Sequence, residues 1–308
     1  MPEPGALFLV GPTASGKSEA GLLLAEALGG EILSLDAMAV YRGMDIATAK
    51  PDAQARRRIP HHGIDLVAAS EKFHLKAFLD LAEKVLEDAR SRAKPLMLVG
   101  GTGFYLHRLR EGLFEGPGAD WPLRRRLMAR AEAEGAGALH AELAGRDPEA
   151  AASIHVKDLR RTVRALEVCL GSARPFSTWK RETRRGSLPE APVLGIRRSR
   201  EDLHRRIELR VEAMFARGLV EETRRLAKEG LSLSASQALG TKEVLAFLAG
   251  DHGLDEAVAL VKRRTRQFAK RQMTWFRRFP EIRWIDAGPE EPADRLSERL
   301  LEALRDAA

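Results

Sequence analysis

The chain has 308 residues, enough for one large core or two smaller ones, and a 44% hydrophobic content with few aromatics, as in an ordinary soluble protein. One cysteine, Cys169, excludes an internal disulfide and any cysteine-based metal cluster, and its place on an apolar helical stripe predicts core packing. The net charge of +7 suits a polyanionic partner, while the opening Met-Pro-Glu-Pro lacks a basic secretory leader and its apolar run is too short to span a bilayer, so a cytoplasmic protein without membrane contact is expected.

Ala6 to Val10 is an apolar run of strand length. It leads into Gly11, Pro12, Thr13, Ala14, Ser15, Gly16, Lys17 and Ser18, which fit the pattern G-x-x-x-x-G-K-[ST] at every fixed position. Such a loop wraps backbone N–H groups around a phosphate chain at the positive end of a helix, and adds a lysine charge and a magnesium-binding hydroxyl, here Lys17 and Ser18. The helix itself is legible from the stripe Ala20, Leu23, Leu24, Ala27 and Leu28, with Gly29-Gly30 as its stop. The geometry recognises a diphosphate and is indifferent to what hangs from it.

Glu31 to Leu35 alternates as a strand does and ends on Asp36. Tyr41 to Pro60, with Gly43, Pro51 and Arg56-Arg57-Arg58, reads as a loop carrying a short helix. Phe73 to Arg92 is an amphipathic helix, and Pro95 to Val99 is a buried strand that ends on Gly100-Gly101-Thr102-Gly103. This alternation predicts an α/β fold, a P-loop NTPase-like parallel sheet flanked by helices. Ligands of such sheets sit at the carboxyl ends of the strands, so Lys17, Asp36 and Thr102 are expected to face one crevice.

Gly116-Pro117-Gly118 breaks the alternation, and Pro122 to Lys180 shows helical periodicity with no credible strand. The expected organisation is therefore a catalytic core over 1–117 and 187–308 with an inserted all-helical domain over 118–186. The last helix of the insertion carries Arg160, Arg161 and Arg164, and Arg174, Lys180, Arg181, Arg184 and Arg185 follow; a solvated face and a phosphate-binding face explain these equally well. Strand character returns at Pro192 to Ile196, a helix at Leu203 to Arg217, and a long helix at about Leu254 to Phe279. From Lys262 to Arg278 that helix holds eight basic residues and no acidic one, interleaved with Phe268, Trp275 and Phe276, which favours a stripe for phosphates. Ile282 to Ile285 reads as an edge strand and Pro292 to Leu304 as a closing helix.

A hydrolytic P-loop enzyme needs a second strand ending in an acid for the magnesium shell, often with a catalytic glutamate after it. Here Ala37 follows Asp36, and the strand ending at Val99 runs into glycines. Asp36 is thereby free to act as a general base beside a bound diphosphate, or else to cap the next turn. His61-His62 is a weak metal signal, because adjacent histidines point apart and no third ligand has suitable spacing.

Taken together, several segments resemble the bacterial tRNA dimethylallyltransferase family from Leu7 to about Arg278. They are the phosphate loop, Tyr-Arg-Gly-Met-Asp-Ile at 41–46 with Thr-Ala-Lys at 48–50, Pro-His-His at 60–62, and Val-Gly-Gly-Thr at 99–102. Arg-Ala-Leu-Glu-Val at 164–168, Arg-Ile-Glu-Leu-Arg-Val at 206–211 and Lys-Arg-Gln-Met-Thr-Trp-Phe-Arg at 270–277 continue the series in family order.

The resemblance implies transfer of a dimethylallyl group from dimethylallyl diphosphate to N6 of adenine 37 in tRNA, by a monomer. It implies that Asp36 takes the amine proton, that Lys17 and a magnesium ion on Ser18 neutralise the leaving group, and that Thr13, Thr102 and Arg210 complete its cradle. The implied RNA contacts are Asp36, Ala37, Met38, Ala39, Thr102, Arg124, Arg160, Arg161, Arg164, Lys242, Lys270, Arg271, Gln272 and Arg277, around a base flipped out of the anticodon loop. Ala37 and Ala39 replace the serine and glutamine of the family's Asp-Ser-x-Gln, Ala47 a glycine, and Thr241 a tyrosine. These departures are expected to slow the reaction or loosen the choice of flanking nucleotides. The rival readings are a prenyltransferase for free adenine nucleotides, a small-molecule or nucleotide kinase, and a catalytically weakened RNA-binding relative.

Overall fold

In the computed structural model, which describes residues 5–114, 116–183 and 185–306, a parallel sheet carries the phosphate loop at its centre. The opening Met-Pro-Glu-Pro and Arg184 lie outside the described residues. In chain order the elements are β1 (Ala6–Val10), α1 (Lys17–Leu28), β2 (Glu31–Leu35), α2 (Asp45–Thr48), α3 (Ala53–Arg58), β3 (His61–His62), α4 (Leu75–Ser91), β4 (Leu96–Gly100) and α5 (Gly103–Glu111). Helices α6 (Trp121–Glu134), α7 (Ala136–Arg146), α8 (Pro148–Ser153), α9 (Leu159–Ser172) and α10 (Phe176–Arg181) follow. The chain then forms β5 (Val193–Arg197), α11 (Arg200–Ala216), α12 (Leu219–Glu229), α13 (Leu233–Ser236), α14 (Thr241–Leu248), α15 (Leu254–Phe276), β6 (Arg283–Asp286) and α16 (Ala293–Arg305).

The six strands lie in the order β3-β2-β4-β1-β5-β6, and every pairing is parallel. Strands β1 and β4 are apolar along their length, and β2 is apolar but for Glu31 and Ser34, because helices cover both faces of the sheet. On one face Leu24 and Ala25 of α1 and Leu296 and Leu300 of α16 pack against Leu7, Leu9, Met97, Val99 and Ile196. The register pairs Val10 with Gly100 and Gly100 with Leu35, so the next residues, Gly11, Gly101 and Asp36, emerge side by side at the carboxyl edge.

By compactness the chain divides into Met1–Leu109 with Glu190–Ala308, and Arg110–Pro189. The second unit takes in residues on both sides of the expected 118–186 and is helical in its described elements. Its core joins Leu127, Leu139, Leu143, Ile154, Leu166 and Cys169, so the lone cysteine packs as its apolar stripe predicts.

Local chemistry sets two places where the sequence reading is incomplete. The loop after Tyr41 holds two short helices, and His61-His62 forms a strand too brief to show alternation. His62 Nε2 lies 2.7 Å from the buried Glu31 carboxylate and His61 Nδ1 lies 3.0 Å from the Ile59 carbonyl. Hydrogen bonds from Arg92 and His62 hold the Glu31 carboxyl at about 2.

Candidate active site

The phosphate loop turns into α1 at Gly16, whose φ of +95° is left-handed and favours glycine. Lys17 is half-buried, and its ammonium donates to the carbonyl of Pro12 in the same loop at 3.1 Å. Burial, with a smaller push from the Arg210 guanidinium, lowers it to about 8, against the pull of Asp36. Arg210, half-buried on α11, is likewise depressed by burial and supported by Asp36. Two cations and one carboxylate therefore share the crevice, an arrangement that a multiply charged anion would balance.

Asp36 caps the next turn and faces the crevice at once. Its Oδ1 accepts the backbone N–H groups of Met38 at 2.8 Å and Ala39 at 3.3 Å, which fixes the carboxylate and leaves Oδ2 with no such bond. Thr102 follows β4 at the same edge. Its N–H donates to Leu35 O at 3.0 Å, and its Oγ1 accepts from the Ala37 N–H at 3.3 Å, so its hydroxyl proton remains to donate. Tyr105 on α5 is buried and stacked on Phe78, and burial with the nearby Asp36 raises its phenol; the sequence reading does not reach it.

Side chains outside the phosphate loop hold its backbone. Arg206 donates to Ala14 O at 2.9 Å and Arg198 to Ser15 O at 2.8 Å. Ala14 itself is left-handed, with φ 64°. The Thr13 N–H donates to Gln272 Oε1 at 2.9 Å, and Gln272 Nε2 donates to Gly101 O at 3.0 Å. Thr13 therefore keeps only its hydroxyl for a ligand. Gln272, expected at the RNA, is 6% exposed with both amide ends used inside the protein. Ser18 is exposed in the first turn of α1. Among the described residues no group of three or more His, Cys, Asp or Glu side chains could hold a metal ion.

The basic residues sort by their partners. On α15, Lys262, Arg264 and Arg266 pair with Glu212, Glu243 and Glu208. Arg263, Lys270, Arg271, Arg277 and Arg278 are exposed, Arg271 over Phe268 and Arg278 over Trp275. Lys242 is exposed beside the start of α14. In the helical unit Arg160 and Arg161 are exposed, the latter 3.4 Å from Asp158. Arg124 and Arg164, expected at the RNA, both bind the carboxylate of Glu167, whose side chain is 1% exposed, and Arg164 also donates to Pro117 O at 2.8 Å. They neutralise a buried acid whose further partner is the Asp120 N–H at 2.6 Å.

A sequence profile of the IPP transferase family matches residues 39–279. The chain belongs to that family. It is 49% identical over 283 residues to the tRNA dimethylallyltransferase of Geobacter metallireducens, covering 91% of this chain and 92% of that one. It is 46% identical to that of Pelotomaculum thermopropionicum, covering 91% and 90%. The crystal structure of a Bacillus halodurans tRNA isopentenylpyrophosphate transferase superposes with a TM-score of 0.70 at 35% identity, over 99% of this chain and 98% of that one. A eukaryotic dimethylallyltransferase acting on tRNA gives 0.80 at 28% identity, over 98% and 77%.

Three of the departures from the IPP transferase pattern have a structural reading. Ala47 sits in α2, where its N–H donates to Glu222 at 2.9 Å, as do those of Asp45 and Ile46 at 2.8 Å, so the backbone is helical and needs no glycine. Ala39 is 4% exposed and its N–H serves Asp36, so the turn that aims the carboxylate does not depend on a polar side chain there. Thr241 is buried at the first position of α14 with its hydroxyl unpartnered.

Proposed function

We propose that this chain transfers the dimethylallyl group of dimethylallyl diphosphate to N6 of adenine 37 in tRNA. The observation that carries this reading is the shared crevice of Asp36, Lys17 and Arg210, a fixed carboxylate opposed to two cations at the carboxyl edge of the sheet. The adenine nitrogen attacks the allylic carbon, the carbon–oxygen bond breaks, Asp36 Oδ2 takes the amine proton, and diphosphate leaves with the bonding electrons. Lys17, Arg210 and the hydroxyls of Thr13 and Thr102 receive the charge that develops on the leaving oxygen. A magnesium ion fits this donor set only if Ser18 shares it with diphosphate oxygens and water, and when bound it supplies further charge neutralisation.

Lys242, Lys270, Arg271 and Arg277 on the core, and Arg160 and Arg161 on the helical unit, carry the exposed positive charge suited to the phosphates of the anticodon stem-loop. The protein works as a monomer in the cytoplasm. No helix among the described residues is long and apolar enough to cross a membrane. The test is incubation with an adenine-37 stem-loop and dimethylallyl diphosphate, followed by mass spectrometry of the nucleosides. N6-isopentenyladenosine that depends on Asp36 and Lys17 supports the reading; turnover of ATP at ordinary kinase rates, with no prenylated base, overturns it.

A further inference from the structure

We infer that Gln272 is the positioning residue that sets the phosphate loop against the loop after β4, so that Thr13 and Thr102 meet one leaving group. This rests on the reading of the site as a diphosphate-dependent prenyltransferase. The two loops come from separate strands, and besides the sheet register the Gln272 amide joins them: Oε1 takes the Thr13 N–H at 2.9 Å and Nε2 gives to Gly101 O at 3.0 Å. Each end has one possible role, since a backbone N–H only donates and a carbonyl only accepts, so the amide has a single productive orientation.

Its seat is shaped for it. A Cβ on Gly101 would overlap Gln272 Nε2, so a side chain there would expel the amide. Thr102 is the next residue, and its Oγ1 accepts the Ala37 N–H at 3.3 Å, beside Asp36. Gln272 thus holds Thr13 by its own N–H and Thr102 through the adjoining Gly101. Its neighbours Lys270 and Arg271 point outward, while Gln272 itself is buried with no face for RNA.

The decisive pair of variants is Gln272→Met and Gln272→Glu in the full-length enzyme, with Gly101→Ala as a third. Gln272→Met keeps volume and removes both bonds. Because small misplacements at a reacting centre are costly, it should lower kcat/KM for dimethylallyl diphosphate by about ten- to a hundredfold while changing stem-loop affinity by less than about twofold. Gly101→Ala should reproduce the loss, and the double variant should be no worse than either single one.

In Gln272→Glu the introduced carboxyl group mimics the amide only when protonated, with its carbonyl accepting from Thr13 and its hydroxyl donating to Gly101 O. When ionised it sets an oxygen against an oxygen. Burial raises such a carboxyl above the ordinary glutamate range, so the ratio of variant to native kcat/KM should climb as pH falls from about 8 to 5. Lys17 loses charge toward pH 8 in both proteins, and that change cancels in the ratio.

A flat ratio, an undiminished Gln272→Met, or a Gln272→Met that loses stem-loop affinity as strongly as diphosphate affinity would overturn the inference. Loss that follows only a fall in Tm, with the folded fraction fully active, would overturn it too. If the native enzyme itself transfers no dimethylallyl group, the reading of the reaction fails instead, and inorganic diphosphate affinity in native protein and Gln272→Met still tests the clamp: it should fall in the variant.

Discussion

Lys17 donates its ammonium to the Pro12 carbonyl at 3.1 Å, folding back on the loop it serves. With its charge held at about 8 by burial, the lysine is cationic below that pH and neutral above it. Inorganic diphosphate should therefore bind more weakly as pH rises through about 8, and binding near pH 8 should take up protons, because the anion stabilises the charged form. Calorimetry in buffers of different ionisation enthalpy reads this directly. The free protein has the opposite trend: between about 8 and the usual lysine value of 10.5 the unfolded chain binds more protons, so this group favours the fold increasingly as pH rises.

Asp36→Asn should separate the two tasks of the aspartate. The amide oxygen can still accept from Met38 and Ala39, so the turn survives, while the proton acceptor is gone. Prenyl transfer should drop by about 10²- to 10⁴-fold with an unchanged Tm. Equal loss of Tm and activity would assign Asp36 to the turn alone.

Lys50, from the Thr-Ala-Lys segment, is a structural pin. Its side chain is 1% exposed, and Nζ reaches Tyr41 O at 2.6 Å, Asp65 at 2.6 Å and Asp45 at 2.8 Å. Lys50→Met leaves the Asp65 carboxylate with Arg56 and the Tyr41 carbonyl with only the Met44 N–H at 3.4 Å. A loss of about 1–3 kcal/mol in a denaturant melt is expected, the cost of weakening the buried carbonyl's bond, because Asp65 keeps Arg56 and Asp45 faces water.

Salt titrations of stem-loop binding should divide α15 in two. Lys270→Ala and Arg271→Ala remove exposed charges, and each should flatten the plot of log affinity against log salt by a little under about one unit. Arg266→Ala breaks a pair with Glu208 2.9 Å away and should leave that slope unchanged.

The sheet was legible because β1 and β4 are buried on both faces and read as unbroken apolar runs while β2 alternates, and each leads into a residue of the site: Gly11, Gly101 or Asp36. What the sequence hid are pairings made across long separations. Glu222 caps the N–H groups of Asp45, Ile46 and Ala47 from about 175 residues away, and nothing local announces it. The partners of side chains expected at the RNA were hidden for the same reason: Arg124 and Arg164 share Glu167, and the Gln272 amide is bonded inward to Thr13 and Gly101.

The bond between Thr13 and Gln272 spans 259 positions of the chain. At a synthesis rate of about 5–20 residues per second, roughly ten to fifty seconds separate the appearance of the loop from that of the glutamine that fastens it. During that interval β1, β2 and β4 can already associate, but the loop end lacks its tie, and Arg210 arrives only late as well. The tie between the two loops thus forms only after residue 272 has been synthesised, so a chain cut before it should hold diphosphate more weakly than one that includes it.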